Sequence, residues 1–302
     1  MTTFTGCGTA LVTPFTAAGE IDEPTFRRLV RRQIDAGIDF LVPCGTTGES
    51  PSLTREEHLR IVALTVEEAR GAVPVVAGAG GYNTAEVAGL ARELERIGVD
   101  GLVSVAPYYN KPTQEGLYQH YRAIADAASL PIIVYNVPGR TGVNIEPDTV
   151  GRLATIENIV GVKEASGNIQ QIARVLHEVP DNFTVLSGDD AIAIAAIALG
   201  ARGLISVASN EIPVEMTALV RAAMTGDFVT ARHLHHTWFA LMEINFAESS
   251  PIPVKAALAM MALIEPVWRL PLTPPSDSTR HRIEAVLRAG GLLPSIRKRH
   301  AA

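Results

Sequence analysis

The chain has 302 residues, 47% hydrophobic and 19% charged, a composition that fits a packed globular protein and excludes disorder for most of its length. At that length it buries one large core or two smaller ones. A net charge of −6 argues against a nucleic-acid partner, because phosphate binding needs a concentrated cationic face.

The chain opens Met1-Thr2-Thr3-Phe4, with no basic segment followed by an apolar one, so no signal peptide is expected. Short apolar segments then recur along it: Gly8 to Phe15, Phe40 to Gly45, Pro74 to Gly80, Gly101 to Tyr109, Pro131 to Pro138, Ile159 to Ala165, Phe183 to Gly188 and Gly203 to Ala208. Each is near-continuous rather than alternating, the pattern of strands covered on both faces. Helical periodicity with polar faces fills segments between them, such as Thr54 to Arg70 and Thr84 to Ile97, with Gly37 and Gly98 where helix stops belong. Glycines before strands, in Gly98-Val99-Asp100-Gly101 and Gly200-Ala201-Arg202-Gly203, hint at a weak internal repeat. The longest apolar run, Ala191 to Ala201, is far short of the ~20 residues that cross a bilayer.

Eight strand–helix units predict an α/β fold, a (β/α)₈ TIM barrel over residues 1–222. Residues 223–302 are expected to form a C-terminal helical appendage, punctuated by Pro251, Pro253, Pro271, Pro274 and Pro275. Within it, Ser276-Asp277 marks a helix start before Arg280 to Ala289. The basic run Arg297-Lys298-Arg299 reads as a solvated tail. Two cysteines, Cys7 and Cys44, cannot form a disulfide scaffold at this size, and the whole reads as a soluble, cytoplasmic protein with no membrane partner.

In such a barrel the reactive groups lie at the C-terminal ends of strands. Polar residues gather there: Gly45-Thr46-Thr47-Gly48-Glu49-Ser50 after the second strand, Pro107-Tyr108-Tyr109-Asn110 after the fourth, Tyr135 to Gly142 after the fifth. Lys163, near the end of the sixth, is the most informative residue, since burying an ammonium without a partner is costly. Desolvation lowers a lysine pKa and exposes the neutral amine that attacks a ketone. On the lysine alone two readings stand: this nucleophile, or a structural pair with Glu164 or another acid. Tyr135, Tyr109 and Thr46 tip the balance, because imine chemistry needs protons moved and their hydroxyls form a chain for it. Each of these tyrosines, taken singly, also reads as core filler. The amides of Gly45-Thr46-Thr47-Gly48 are suited to a carboxylate, on weak evidence from a single turn.

These residues carry a resemblance to the dihydrodipicolinate synthase family of the N-acetylneuraminate lyase superfamily. It runs from Ala10-Leu11-Val12-Thr13-Pro14-Phe15 to Leu270-Pro271-Leu272-Thr273-Pro274. Between them lie Gly45 to Ser50, Tyr108-Tyr109-Asn110-Lys111-Pro112, Tyr135-Asn136-Val137-Pro138, Lys163-Glu164-Ala165-Ser166-Gly167, Ser187-Gly188-Asp189-Asp190 and Pro251-Ile252-Pro253-Val254-Lys255. The resemblance implies that Lys163 forms an imine with pyruvate and that the enamine attacks aspartate semialdehyde, in the lysine and diaminopimelate route. It places the proton relay on Tyr135, Thr46 and Tyr109, with Tyr109 reaching in from a neighbouring subunit of a homotetramer. Thr47 falls where the pyruvate carboxylate is held, Ile205 where a backbone carbonyl lines the site, and Arg140 where the semialdehyde carboxylate is received. An arginine there offers a fork suited to a small carboxylate, unlike relatives that cleave long sugar acids. No cofactor or metal is implied.

Feedback-inhibited members of the family bind lysine beside the active site, and the matching positions here are Ser50, Pro51, Arg55, His58, Tyr82, Glu86 and Tyr108. Arg55 replaces a usual histidine and Tyr82 a usual asparagine, which predicts weak inhibition. His233, His235 and His236 share one helical segment, but i and i+2 do not face the same way, so a solvated face is expected rather than a metal site. Cys44 reads as a buried apolar side chain, and Gly78-Ala79-Gly80-Gly81 as a tight turn, not a dinucleotide fingerprint. Two rival functions remain: another pyruvate-dependent aldolase acting on a sugar acid or hydroxy-oxo acid, and a non-catalytic sensor of pyruvate or an amino acid.

Overall fold

A computed structural model describes residues 4–293; the opening tripeptide and the basic run at 297–299 lie outside the described residues. In chain order the barrel consists of β1 (Gly6–Ala10), α1 (Glu23–Asp35), β2 (Phe40–Val42), α2 (Arg55–Ala69), β3 (Val76–Gly78), α3 (Thr84–Ile97), β4 (Gly101–Val105) and α4 (Gln114–Ala125). It continues through β5 (Ile132–Asn136), the short α5 (Pro138–Thr141), α6 (Pro147–Leu153), β6 (Ile159–Glu164), α7 (Ile169–Glu178), β7 (Thr184–Ser187), α8 (Ala193–Leu199), β8 (Gly203–Ser206) and α9 (Pro213–Met224). After these come α10 (Phe228–Ile244), α11 (Ile252–Met260) and α12 (Asp277–Ala289). The boundary expected between residues 222 and 223 falls in the last turn of α9.

All eight expected strands form, parallel throughout, in the order β2-β1-β8-β7-β6-β5-β4-β3. The open seam closes through a parallel bridge between Leu41 and Val75. Leu41 N donates to Pro74 O and Gly78 N to Pro43 O there, both at 2.9 Å. The strands are shorter than the apolar runs, because the last residues of each run turn away to build the strand-end loops.

Alternation along each strand sorts side chains into two layers. Ala10, Phe40, Val42, Val76, Val103, Ile133, Tyr135, Leu186 and Ile205 fill the barrel interior. Leu41, Ala77, Leu102, Val134, Val162, Val185 and Leu204 face outward into the larger layer under the helices. Local signals start and stop those helices. Thr54 and Glu57 form a reciprocal capping box on α2, and Gly98 ends α3 in the left-handed region at φ 90. Among the described residues no helix is long and apolar enough to cross a membrane.

The C-terminal helices return to the barrel. His235 of α10 is half-buried and its Nε2 bonds the Ala191 carbonyl at 2.7 Å, while His233 and His236 stay exposed, so only part of that face is solvated. Asn245, at the end of α10, donates to Glu211 Oε2 at 2.6 Å inside the core. Glu211 Oε1 and Asn245 Oδ1 are both buried without a partner. A protonated Glu211 carboxyl avoids burying an ionised oxygen that has no donor. Burial, reinforced by the Asp190 carboxylate, holds the Glu211 carboxyl well above its usual range despite the Asn245 bond and Arg32.

The sign follows from linkage. Above the unfolded value of ~4.3 the native state holds a proton that the unfolded chain has lost, so stability falls as pH rises until the folded pKa is passed. Glu211→Gln supplies the donor without titrating. It is expected to flatten this slope, with a Tm close to wild type at pH 4 and above it at pH 8, as read by calorimetry across that range.

Candidate active site

The ends of β2, β4, β5 and β6 surround one cavity of about 250 Å³, and Lys163, Tyr135, Thr46 and Arg140 all border it. Lys163 and Tyr135 are register partners on adjacent strands, so both point to the barrel interior. The Lys163 amine lies 4.2 Å from the centre of the Tyr135 ring. Space for the lysine stem depends on Gly188. A Cβ there would come within 2.6 Å of Ala165 Cβ and 2.9 Å of Lys163 Cε.

The pairing with Glu164 does not form. Glu164 points to the other face, where its carboxylate accepts Asn136 Nδ2 at 2.9 Å, Gln171 Nε2 at 3.3 Å and the Ser166 amide at 2.7 Å. Lys163 makes no ion pair among the described residues. Burial therefore dominates and brings its pKa down to about 8; the field of Asp190 pulls the other way and that of Arg140 adds to the fall. At pH 7 about a tenth of such amines are neutral, against roughly one in three thousand at the ordinary 10.5. Burial also raises the Tyr135 phenol, while Arg140 and a hydrogen bond with Thr46 draw it back and Glu164 raises it further.

Asp190 is 1% exposed and was quoted in the sequence without a role. Its carboxylate accepts Ser206 Oγ at 2.5 Å and the amides of Val207 and Ala208 at 3.0 and 3.2 Å. It is thus fixed near Lys163 without pairing with it. Nothing in the local sequence distinguishes it from Asp189; only the fold turns one of the two inward.

Thr46 opens a single 3₁₀ turn, Thr46–Gly48, whose Gly48 carbonyl accepts the Thr13 hydroxyl at 2.7 Å. Thr47 is buried in that turn and Ile205 in the barrel interior, and neither borders the cavity. Arg140, on α5, anchors Nη2 on the Ser250 carbonyl at 3.0 Å. Tyr109 is not brought to this chain's own cavity: it is 89% exposed, on a backbone with φ 69.

Of the expected regulatory positions, Ser50, Pro51, His58 and Tyr108 border the same cavity. His58 is buried with Nε2 bonded to Gly78 O at 2.9 Å, and burial lowers its pKa to about 4. Cys44 donates its thiol to His58 O at 3.6 Å, and burial pushes that thiol far up, as expected of an inert side chain. Tyr82 stacks edge-on against Tyr108 at 5.3 Å. Arg55 pairs with Glu93 at 2.9 Å, and Glu86 accepts from the neutral Asn83 amide at 2.9 Å.

A second buried lysine carried no role in the sequence reading. Lys255 of α11 pairs with Glu49, with side-chain exposures of 0% and 1%. Lys255 and Arg269 each lie 4.3 Å from the centre of the Phe15 ring. Arg269 was likewise missed, since a lone arginine in Trp268-Arg269-Leu270 gives no local signal.

With this geometry in view, the chain was compared with known proteins. The profile of the Dihydrodipicolinate synthetase family matches residues 3–290. The 4-hydroxy-tetrahydrodipicolinate synthase of Koribacter versatilis is 54% identical over 289 residues, covering 95% of this chain and 96% of that protein. Among solved structures, the dihydrodipicolinate synthase of Aquifex aeolicus superposes with a TM-score of 0.94 at 43% identity, covering 96% of this chain and 99% of that one. The chloride-inhibited dihydrodipicolinate synthase of Acinetobacter baumannii, complexed with pyruvate, superposes with a TM-score of 0.95 at 42% identity, covering 96% and 100%.

The depressed amine is directly measurable. Modification of Lys163 by an amine-selective reagent, followed by peptide mass spectrometry against pH, is expected to show a midpoint near 8. A midpoint near 10 would place the amine in water and contradict the site geometry.

Proposed function

Because the chain belongs to the dihydrodipicolinate synthetase family, we propose that it joins pyruvate to aspartate semialdehyde through an imine on Lys163. The product is 4-hydroxy-tetrahydrodipicolinate, and the activity is that of a lyase. The observation that carries this reading is the unpaired, buried amine of Lys163 at the cavity wall, against the Tyr135 ring.

The neutral amine attacks the ketone carbon of pyruvate to give a carbinolamine. Protonation of its hydroxyl expels water and leaves the imine; loss of a methyl proton then gives the enamine. The enamine carbon attacks the semialdehyde, whose aldehyde oxygen takes up a proton. The substrate's own amine then displaces Lys163 as the ring closes. Tyr135, which shares the cavity wall with Thr46, is the group that passes these protons. The pyruvate carboxylate is assigned to the turn that carries Thr46, with Thr47 buried behind it, while Ile205 lies off the cavity wall. Arg140, fixed at one end by Ser250, meets the carboxylate of the semialdehyde with a charge-assisted fork. This small-carboxylate geometry favours the semialdehyde over a long sugar acid.

Tyr109 completes the relay from a neighbouring subunit in this reading, which its outward exposure supports, and the assembly is a homotetramer in the cytoplasm. The region around Tyr108 is the counterpart of a lysine-binding site. There the Arg55 charge is offset by Glu93, so Tyr82, stacked on Tyr108, carries the expected loss of inhibition through its bulk.

Borohydride treatment with pyruvate is expected to add a reduced pyruvyl mass to the Lys163 peptide, and Lys163→Ala to abolish adduct and turnover. A label on Lys111 or Lys255 instead overturns the assignment. Arg140→Ala should leave the pyruvate adduct intact but lose ~1.5–3 kcal/mol of transition-state binding, roughly ten- to more than a hundredfold in kcat/KM for the semialdehyde. A lysine titration of initial rates should show weak inhibition at most; strong inhibition at sub-millimolar lysine contradicts the role given to Tyr82.

A further inference from the structure

We propose that the Glu49–Lys255 pair is a positioning device that sets the Thr46–Gly48 turn, and with it the place of Thr46 at the cavity that Tyr135 also borders. This rests on the imine reading of Lys163. Glu49 is the residue that closes the turn, and its amide donates to Thr46 O at 3.1 Å. Its backbone sits in the left-handed region, φ 53 and ψ 33. A residue with a Cβ stays there only where its surroundings hold it.

The hold comes from the side chain. The Glu49 carboxylate is buried against Lys255 Nζ and also accepts the Arg269 amide at 3.3 Å. Arg269 extends the grip along the chain that follows. Its guanidinium donates to Ser52 O at 3.1 Å and forks onto the Glu57 carboxylate at 2.7 and 2.6 Å. Phe15 supplies the ring against which both cations rest. One cation and one backbone amide thus fix the Glu49 carboxylate in position and direction, while the Arg269 guanidinium holds the chain that follows.

Neither Glu49 nor Lys255 borders the cavity, so the pair touches no substrate and acts through the turn. Both cations come from the C-terminal segment, whereas the turn follows β2. A hydrophobic filler would serve packing as well as a buried ion pair, and often better. What the pair adds is direction: a carboxylate held by fixed donors specifies where the turn ends, and so where Thr46 stands. Because the hydrogen bond with Thr46 lowers the raised pKa of Tyr135, a displaced turn has a titration signature.

The test is the double variant Glu49→Gln with Lys255→Met, which removes both charges and leaves no unpaired ion in the core. It is expected to keep a Tm near wild type and to trap pyruvate on Lys163 with borohydride. Turnover in the condensation should fall roughly tenfold or more, the scale of a small misplacement of a catalytic group, with little change in KM for pyruvate. The alkaline limb of the pH profile should move upward as Tyr135 loses its Thr46 bond. A folded double variant with wild-type turnover and an unmoved alkaline limb overturns the inference and leaves the pair a packing element. Should the double variant not fold, Glu49→Asp keeps the charge but shortens the reach by one methylene, and the same two readouts decide. A wild-type protein that traps no pyruvate on Lys163 overturns the imine reading and this inference with it; one that does, beside an unaffected double variant, overturns this inference alone.

Discussion

An amine held out of water without a counter-charge is the constraint on which the rest of the site depends. The barrel interior that Lys163 enters is lined by Val, Ile, Leu, Phe, Ala and Tyr side chains, which give its stem and amine little contact with water. Desolvation then favours the neutral amine, the form that the proposed imine chemistry uses. The neighbouring groups are arranged so as not to undo this. Glu164 is turned outward and saturated by three donors. Asp190 is close enough to be felt but spends its oxygens on Ser206 and two backbone amides. Arg140 adds a like charge.

The contrast between the two buried lysines sharpens the point. Lys255 is the more deeply buried, and burial lowers its pKa as well, yet Glu49 opposes that fall both by its charge and by its hydrogen bond. The paired amine is engaged by Glu49 and does not border the cavity. Lys163 is open to a cavity and unpaired. Burial alone therefore does not mark a reactive lysine; burial without a partner, beside space for a substrate, does.

Much of this was legible along the chain. Strands covered on both faces are continuous apolar runs, so all eight could be read, and a lysine interrupting such a run stood out. The ends were overextended because Tyr109, Pro138 and Ala165 continue the apolar pattern after the ladder has stopped. The partners of Lys163 were less legible. Glu164 adjoins it in sequence yet lies across the strand, since successive side chains alternate. Gly188 and Asp190 reach it from the next strand, and the role of Gly188 is an absence of atoms. Glu49, Lys255 and Arg269 meet over separations of 206 and 220 residues, which no local pattern encodes.

Those long separations say what the C-terminal helices contribute. The C-terminal helices add Leu241, Met242, Ile244, Ala257, Ile283 and Leu287 to the core, but packing alone would not aim them at the strand ends. Here three residues of the C-terminal segment reach the chain at the strand ends: Ser250 holds Arg140, Lys255 holds Glu49, and Arg269 holds Glu49, Ser52 and Glu57. Each lands at a strand end, on a turn or first helical turn that carries a group at the cavity or adjoins one. Loops at the ends of barrel strands are the least constrained part of the fold, because the ladder that fixes the strands has ended. Imine chemistry needs hydroxyls held within hydrogen-bond reach of the carbon that reacts, a tolerance that free loops do not meet. The C-terminal segment supplies that rigidity from outside the barrel, so it belongs to the site as much as the strands that carry Lys163 and Tyr135.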